Sequence, residues 1–398
     1  MTKLSFRLNP RVLAVDSPPI PEAQGWKAAY DGRLGPMIDL SQAVPGTPPP
    51  QAMLDRLAEA AGQGDATRYG PILGDAMLRE AYSAEMTRVY GEAVPESAIA
   101  ITAGCNEAFV VTMMALAGVG DTVILPTPWY FNHKMTLDML GIGARALPCH
   151  AAAGFVPDVA EAEALIDSSV RAIVLVTPNN PTGAIYPAET IEAFAALARR
   201  RGIALVVDET YRDFLPLDHG RPHALFTDRA WGGTLIQLYS FSKAHAIPGH
   251  RLGAIVAEPQ VIGEIAKILD SVQICPARPA QRVVAWAIEA LRDWREAQRA
   301  DLQRRAAACR AAFAPLPGWR LDSVGAYFAY AAHPFPAELA QTVARSMATD
   351  FGILGLPGPY FGPGQETHVR LAFANVGSDV LADVTGRLEP FTPREGAG

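Results

Sequence analysis

Cysteine is scarce in this chain, four in 398 residues, at positions 105, 149, 275 and 309. They are scattered and form no CxxC pair, which argues against a metal site and against a disulfide framework. No apolar run approaches membrane-spanning length, and residues 1–16 lack the charged, apolar, small-residue order of a secretory signal. Positive charge is not in excess either. A net charge of −7 and a pI near 5.7 leave no basic stripe for a nucleic acid. No period repeats along the chain. The expectation is a cytoplasmic protein without metal, nucleic-acid partner or membrane. What is present is an ordinary globular composition, 49% apolar and 19% charged, in a length that suits two domains.

The chemistry is concentrated in a few windows. In Ser240-Phe-Ser-Lys243-Ala-His-Ala-Ile-Pro-Gly-His-Arg251, a lysine follows an apolar run at 234–238, flanked by hydroxyls and followed eight residues later by an arginine. Lysine condenses with aldehydes once a proton is shed. Ser240, Ser242 and Arg251 form an anion clamp of the kind a phosphate needs. A lysine that holds an aldehyde beside a phosphate site reads as a pyridoxal phosphate lysine. Upstream, Val174-Leu-Val-Thr-Pro-Asn-Asn180-Pro-Thr-Gly is an apolar run ending in a turn, and Ile203-Ala-Leu-Val-Val-Asp208-Glu-Thr-Tyr211 delivers a carboxylate at a strand end. In open α/β sheets ligands bind at the carboxyl ends of strands, where Asn180 and Asp208 would fall. Gly104-Cys105-Asn106 opens a helical pattern and offers free N–H groups to an anion. Opposite a pyridine nitrogen, Asp208 would favour its protonated form.

From about residue 51 to 268, helical stretches alternate with short apolar runs at 122–125, 171–176, 203–207, 234–238 and 252–257. That alternation predicts an α/β fold with a mainly parallel sheet flanked by helices. Residues 17–50, rich in Pro and Gly, read as an extended arm. Residues 279–314 form one long helical pattern leading into a smaller α+β region. The expected division is an N-terminal arm (1–50), a large domain (51–278) and a small C-terminal domain (279–398). Gly141-Ile-Gly-Ala-Arg-Ala146 matches a dinucleotide fingerprint, but a helical pattern precedes it and a strand follows, so it reads as a helix stop.

Taken in order, these windows resemble the class I/II aminotransferases, fold-type I pyridoxal phosphate enzymes. The likeness extends to Tyr69-Gly-Pro-Ile-Leu-Gly and to His368-Val-Arg370-Leu-Ala-Phe, and so covers nearly the whole chain. It implies a PLP-dependent transfer of an amino group from an amino acid to a 2-oxo acid by ping-pong chemistry, through a Schiff base on Lys243. Lys243 would also shuttle the substrate's α-proton. Asn180 and Tyr211 would hydrogen-bond the ring oxygen. Tyr130 would stack on the ring, with Trp129 as the adjacent alternative. The phosphate would fall to Gly104, Cys105, Asn106, Ser240, Ser242 and Arg251. Tyr69 would reach the phosphate of a neighbouring subunit, making the protein a homodimer with shared sites. Arg370 would take the substrate's α-carboxylate, with Ala43 in the loop 41–45 and Asn180 beside it.

Three points depart from the pattern or stay open. Cys105 stands where relatives often carry a small residue; a helix start can depress a thiol's pKa, but here it reads as a space-filler. His245 and His250 replace aromatic or apolar residues. Arg278 lies in a loop from which it could meet an acidic substrate. The same fold also hosts a second reading, a C–S β-lyase, or another lyase or decarboxylase, because specificity lives in pocket details. The aromatic windows at 129–131 and 360–361 lean toward a neutral or aromatic amino acid.

Overall fold

Runs such as Val170-Arg-Ala-Ile-Val-Leu-Val and Ala204-Leu-Val-Val are apolar on both sides of a strand, so both faces of any sheet they build must be covered. The computed structural model, which describes residues 4–392, meets that demand. In chain order its strands are β1 (Ile38–Asp39), β2 (Ile99–Thr102), β3 (Thr122–Thr127), β4 (Gly143–Pro148), β5 (Val170–Val176), β6 (Ala204–Asp208), β7 (Leu235–Ser240) and β8 (Gly253–Val256). They continue with β9 (Arg320–Gly325), β10 (Phe328–Ala332), β11 (Ile353–Leu354), β12 (Leu356–Pro357) and β13 (His368–Ala372). The large sheet has the order β2-β8-β7-β6-β5-β3-β4. Within it β8 runs antiparallel to both neighbours and the remaining pairs are parallel.

The small domain carries an antiparallel sheet, β12-β13-β10-β9. The arm joins it through a parallel pair, Ile38 opposite Ile353. The mainly parallel α/β fold expected from the sequence is therefore the fold observed. Gly141 does end a helix, Phe131–Leu140, in the left-handed conformation, and the strand β4 follows.

Two boundaries differ from the expectation. The arm is not wholly extended: Pro19–Ala29 is a helix, started by a proline that tolerates the first turn and stabilised by Glu22 near the positive dipole end. It buries Ala23 and Trp26 in the small-domain core, a tertiary gain that composition alone does not reveal. The long pattern at 279–314 is two helices, Arg278–Ala290 and Arg292–Phe313. The first places Val283, Val284, Ala287 and Ile288 in the large-domain core, against the helices Gln51–Gly62 and Ala76–Tyr90. The second sends Leu302, Cys309 and Phe313 into the small-domain core. The two helices thus pack into different cores, the first with residues 51–90 and the second with the C-terminal strands. Residues 393–398 of the expected small domain lie outside the described residues.

Candidate active site

The parallel strands bring their carboxyl ends to one edge of the large sheet. There β2 hands the chain to Gly104, β3 to Tyr130, β5 to Asn180, β6 to Asp208 and β7 to Lys243. Arg251 arrives from the opposite direction, just before antiparallel β8. Apart from Gly104, which precedes the lining residues Cys105 and Asn106, these groups line a single cavity of about 380 Å³, closed on the other side by Ser41 to Val44 of the arm and by Arg370 of β13. Each segment has its own local reason. Asn179 fastens the turn after β5 by accepting from the Thr182 amide (3.1 Å) and hydroxyl (2.8 Å), and the neighbouring Asn180 meets the cavity. Gly183 follows at φ +75°, where a Cβ would lie 2.6 Å from the Gly325 backbone of the small domain. Only glycine allows the two domains this approach.

Asp208 is buried at the cavity floor. Its carboxylate accepts from the Thr210 amide (2.9 Å), and His133 Nε2 lies 3.4 Å away. Burial alone would raise its pKa, but the hydrogen bond and charge of His133, together with Thr210, outweigh this and hold it below the ordinary carboxylate value. Lys243 is driven the other way. Burial first, then the charges of Arg251 and Arg370, bring its amine down to about 8. A neutral amine is therefore accessible near neutral pH, as proton transfer requires. Its Nζ donates to the Ala43 carbonyl at 2.5 Å.

Arg370, 2% exposed, donates to Asn180 Oδ1 (3.1 Å) and to the Ser41 carbonyl, and it packs over Phe328 and Phe361. Burial lowers even this guanidinium, to about 10. Ala43 accordingly touches Lys243, while Ser41 is the arm residue on Arg370. Burial raises the Tyr211 and Tyr130 phenols, the latter to about 12, so both are hydrogen-bond donors throughout the physiological range. Tyr130 donates toward Asn106 at 3.4 Å.

At the phosphate end, Gly104 (φ +89°) caps the helix Cys105–Leu116, and a Cβ there would press into the Arg251 guanidinium. The backbone can hence approach an anion with no side chain between. The Ser240 hydroxyl caps the turn carrying Lys243, and the Ser242 hydroxyl is buried without a partner. Burial, with the Asp208 charge second, pushes the Cys105 thiol well up, opposite to the depression a helix start can produce, so it stays protonated.

The sequence-selected residues thus meet in one place, with defined exceptions. Tyr69 is 78% exposed and outside the cavity of its own chain. Trp129 turns into a neighbouring cavity, leaving Tyr130 at this one. His250 is exposed, and His245 is buried with neither ring nitrogen partnered and its pKa down at about 3; neither lines the cavity. Arg278 is engaged by Asp75 at 3.2 Å. Sequence reasoning missed His133, Pro18 and Ile20. The signal for His133 was its position one helical turn after Tyr130, which puts both on one face.

A cavity of this kind, at the carboxyl edge of a parallel sheet and lined by a neutralisable lysine and a buried arginine, defines an enzyme acting on small anionic molecules. The chain belongs to the class I and II aminotransferases, whose family model matches residues 35–388. It is an aminotransferase, transferring an amino group from an amino acid to a 2-oxo acid, in a family that generally uses pyridoxal phosphate. It is 26% identical to an aromatic aminotransferase of Arabidopsis thaliana, over 96% of this chain and 95% of the relative. It is 29% identical to an arginine–pyruvate transaminase of Pseudomonas aeruginosa, over 86% of each. The crystal structure of aspartate aminotransferase from Thermus thermophilus with maleate superposes with a TM-score of 0.88 at 25% identity, covering 97% of this chain and 99% of that one. These relatives favour transamination over carbon–sulfur elimination. Among the described residues no helix is long and apolar enough to cross a membrane.

Proposed function

We propose that this aminotransferase works with pyridoxal 5′-phosphate and that Lys243 is the residue to which it attaches. The observation that carries this reading is the convergence of Asp208, Lys243 and Arg370 on one cavity with an anion cradle at its far end. The residues fit the cofactor: the unpartnered Ser242 hydroxyl, the side-chain-free approach at Gly104 and the Arg251 guanidinium suit a phosphate. Asp208 suits a protonated ring nitrogen, Tyr130 offers a stacking face, and Asn180 and Tyr211 offer hydrogen bonds to a ring oxygen. When bound, the cofactor supplies an electron sink for the pair left by the departing α-proton.

The chain's own residues do the rest. Arg370 presents a planar fork to the α-carboxylate and so fixes the α-carbon. Lys243 Nζ, neutral in part near its lowered pKa of about 8, would take that proton and could return it on the far side of the imine nitrogen. The arm residues 41–44 cover the cavity and exclude water. Tyr69, exposed here, would complete the phosphate end in a second copy, so the working unit is a homodimer. Four unpaired cysteines suit a reducing, cytoplasmic setting. The arm and small domain, joined by β1 and β11, act as one unit against the large domain.

The test is an absorbance titration of the loaded enzyme with single amino acids and no acceptor. Conversion of the long-wavelength band to a shorter one is the expected half-reaction, and Lys243→Ala abolishes both band and turnover. Retained turnover in that variant would falsify the assignment. A static band with release of pyruvate and ammonia from a cysteine conjugate identifies a lyase.

A further inference from the structure

A second cavity of about 480 Å³ adjoins the reaction cavity, larger than it: the two share Phe131, and of the consecutive prolines Pro18 lines the first and Pro19 the second. About half of its wall is apolar or aromatic, Trp129, Met135 and Tyr360 among it, and the rest is polar. Its charges are one-sided. Asp16, Glu22 and Asp138 line it against a single cation, Lys134, which is paired with Asp138 at 2.5 Å. Glu22, exposed at the cavity rim, accepts from the Tyr360 hydroxyl (2.6 Å) and the Gln341 amide (3.1 Å), both neutral donors, with Arg345 near enough to act on the Tyr360 hydroxyl. Neither Glu22 nor Asp16 has an ion-pair partner among the described residues. A carboxylate has about four acceptor sites, so Glu22 keeps capacity for a further donor.

The reaction cavity has the opposite shortage. Among the described residues its cations are Lys243, Arg251 and Arg370, and each is claimed by the reading above: one for proton transfer, one for phosphate, one for the α-carboxylate. No cation is left for a carboxylate at the far end of a substrate. Nor is Arg278 free to serve the site of a second copy. Arg278, which sits against Gly70 next to Tyr69, has its charge engaged by Asp75 (3.2 Å) and a donor on the Asp65 carbonyl (2.9 Å).

We propose that the amino donor carries a long side chain with a cationic end, which passes Phe131 and seats in the second cavity against Glu22 and Asp16. An apolar stem fits the aromatic walls. A guanidinium or ammonium gains both the carboxylates and the ring faces of Trp129 and Tyr360. A dicarboxylic donor meets like charge there and is rejected, and specificity comes as much from that repulsion as from attraction. The aromatic windows of the sequence do supply part of the walls, but Asp16 and Glu22 come from the arm, 100 residues and more away in the chain.

This inference rests on the assignment of Lys243 and Arg370, and its test separates the two. The loaded enzyme is mixed with arginine, lysine, leucine, phenylalanine or glutamate, one at a time without acceptor, and kcat/KM for band conversion is measured. Arginine and lysine are expected to convert with the highest efficiency and glutamate with the lowest. Glu22→Gln is expected to lower the arginine-to-leucine ratio by about fivefold or more, the scale of a partly screened ion pair; Asp16→Asn lowers it less. Should E22Q disturb the packing of its helix, both efficiencies fall and the D16N ratio decides. Phenylalanine, leucine or glutamate converting as efficiently as arginine and lysine overturns the proposal and leaves the site intact. So does an unmoved ratio in both variants. Failure of every amino acid to convert the band overturns the site assignment and the proposal with it.

Discussion

His133 Nε2 lies 3.4 Å from the Asp208 carboxylate at the floor of the cavity, and its ring stacks on Phe109 with centroids 3.8 Å apart. Phe109 and Tyr130 fix the imidazole, and the imidazole in turn helps keep a buried carboxylate ionised. Most of what the site does to its own protons follows from such pairs.

Replacing that imidazole isolates its effect. His133→Phe removes the partner that lowers the Asp208 pKa while burial, which raises it, remains. The carboxylate then protonates at higher pH, so the acid limb of the kcat/KM profile moves up. An unmoved limb would mean that Thr210 and the cofactor's ring nitrogen hold the charge without the imidazole.

The lowered lysine makes a second prediction. With an amine pKa of about 8, cofactor-free enzyme should capture pyridoxal phosphate at a rate that rises through pH 8 and levels above it. An ordinary lysine, with a pKa of 10.5, would still be accelerating at pH 10. Stopped-flow absorbance against pH distinguishes the two.

Arg370→Ala should lower kcat/KM by two orders of magnitude or so, about 3 kcal/mol, the scale of a desolvated charge pair. Arg370→Lys should recover little, since a point charge does not reproduce a planar fork. Kinetics unchanged in either variant would remove Arg370 from the substrate's carboxylate.

Stability at low pH should track Glu85. Burial would raise its pKa, but the Arg88 hydrogen bond and the charges of Arg295, Arg88 and Arg212 bring it down to about 2. A depressed carboxylate stabilises the fold fully above its unfolded pKa, and the contribution fades as pH falls toward 2. Glu85→Gln is therefore expected to cost about 3 kcal/mol at pH 7 and less than half of that at pH 3. Urea unfolding of both proteins at the two pH values measures this. It also probes the clamp in which Arg295 holds Glu85 (3.0 Å) and Asp213 (3.1 Å).

Subunit complementation tests Tyr69. Lys243→Ala and Tyr69→Ala homodimers should both be impaired, yet mixing and refolding them should restore about a quarter of wild-type activity, since each hybrid holds one intact site. No recovery in verified hybrids places Tyr69 in its own chain's chemistry.

Much of this protein was determined by short-range sequence alone. Apolar runs of four to seven residues, rich in β-branched side chains and ending in a turn or a carboxylate, suit buried strands of a covered sheet, and the edge where they end is fixed by chain direction. Asp208, Asn180 and Lys243 each sit at the end of such a run, so their presence at the site was legible. The tertiary structure decided what the runs do not encode. His133 lies inside a helix and gains its role only because β6 delivers Asp208 beside it. The helix Arg278–Ala290 belongs to the large domain because its apolar face finds the helices Gln51–Gly62 and Ala76–Tyr90. The helix Pro19–Ala29, in a stretch whose prolines and glycines suggest extension, forms because Trp26 and Ala23 find the small-domain core. With it come Glu22 and the cover of the second cavity. Local pattern sets which backbone a segment adopts, but burial and charge pairing depend on partners brought from far along the chain, and no window of sequence contains both halves of such a contact.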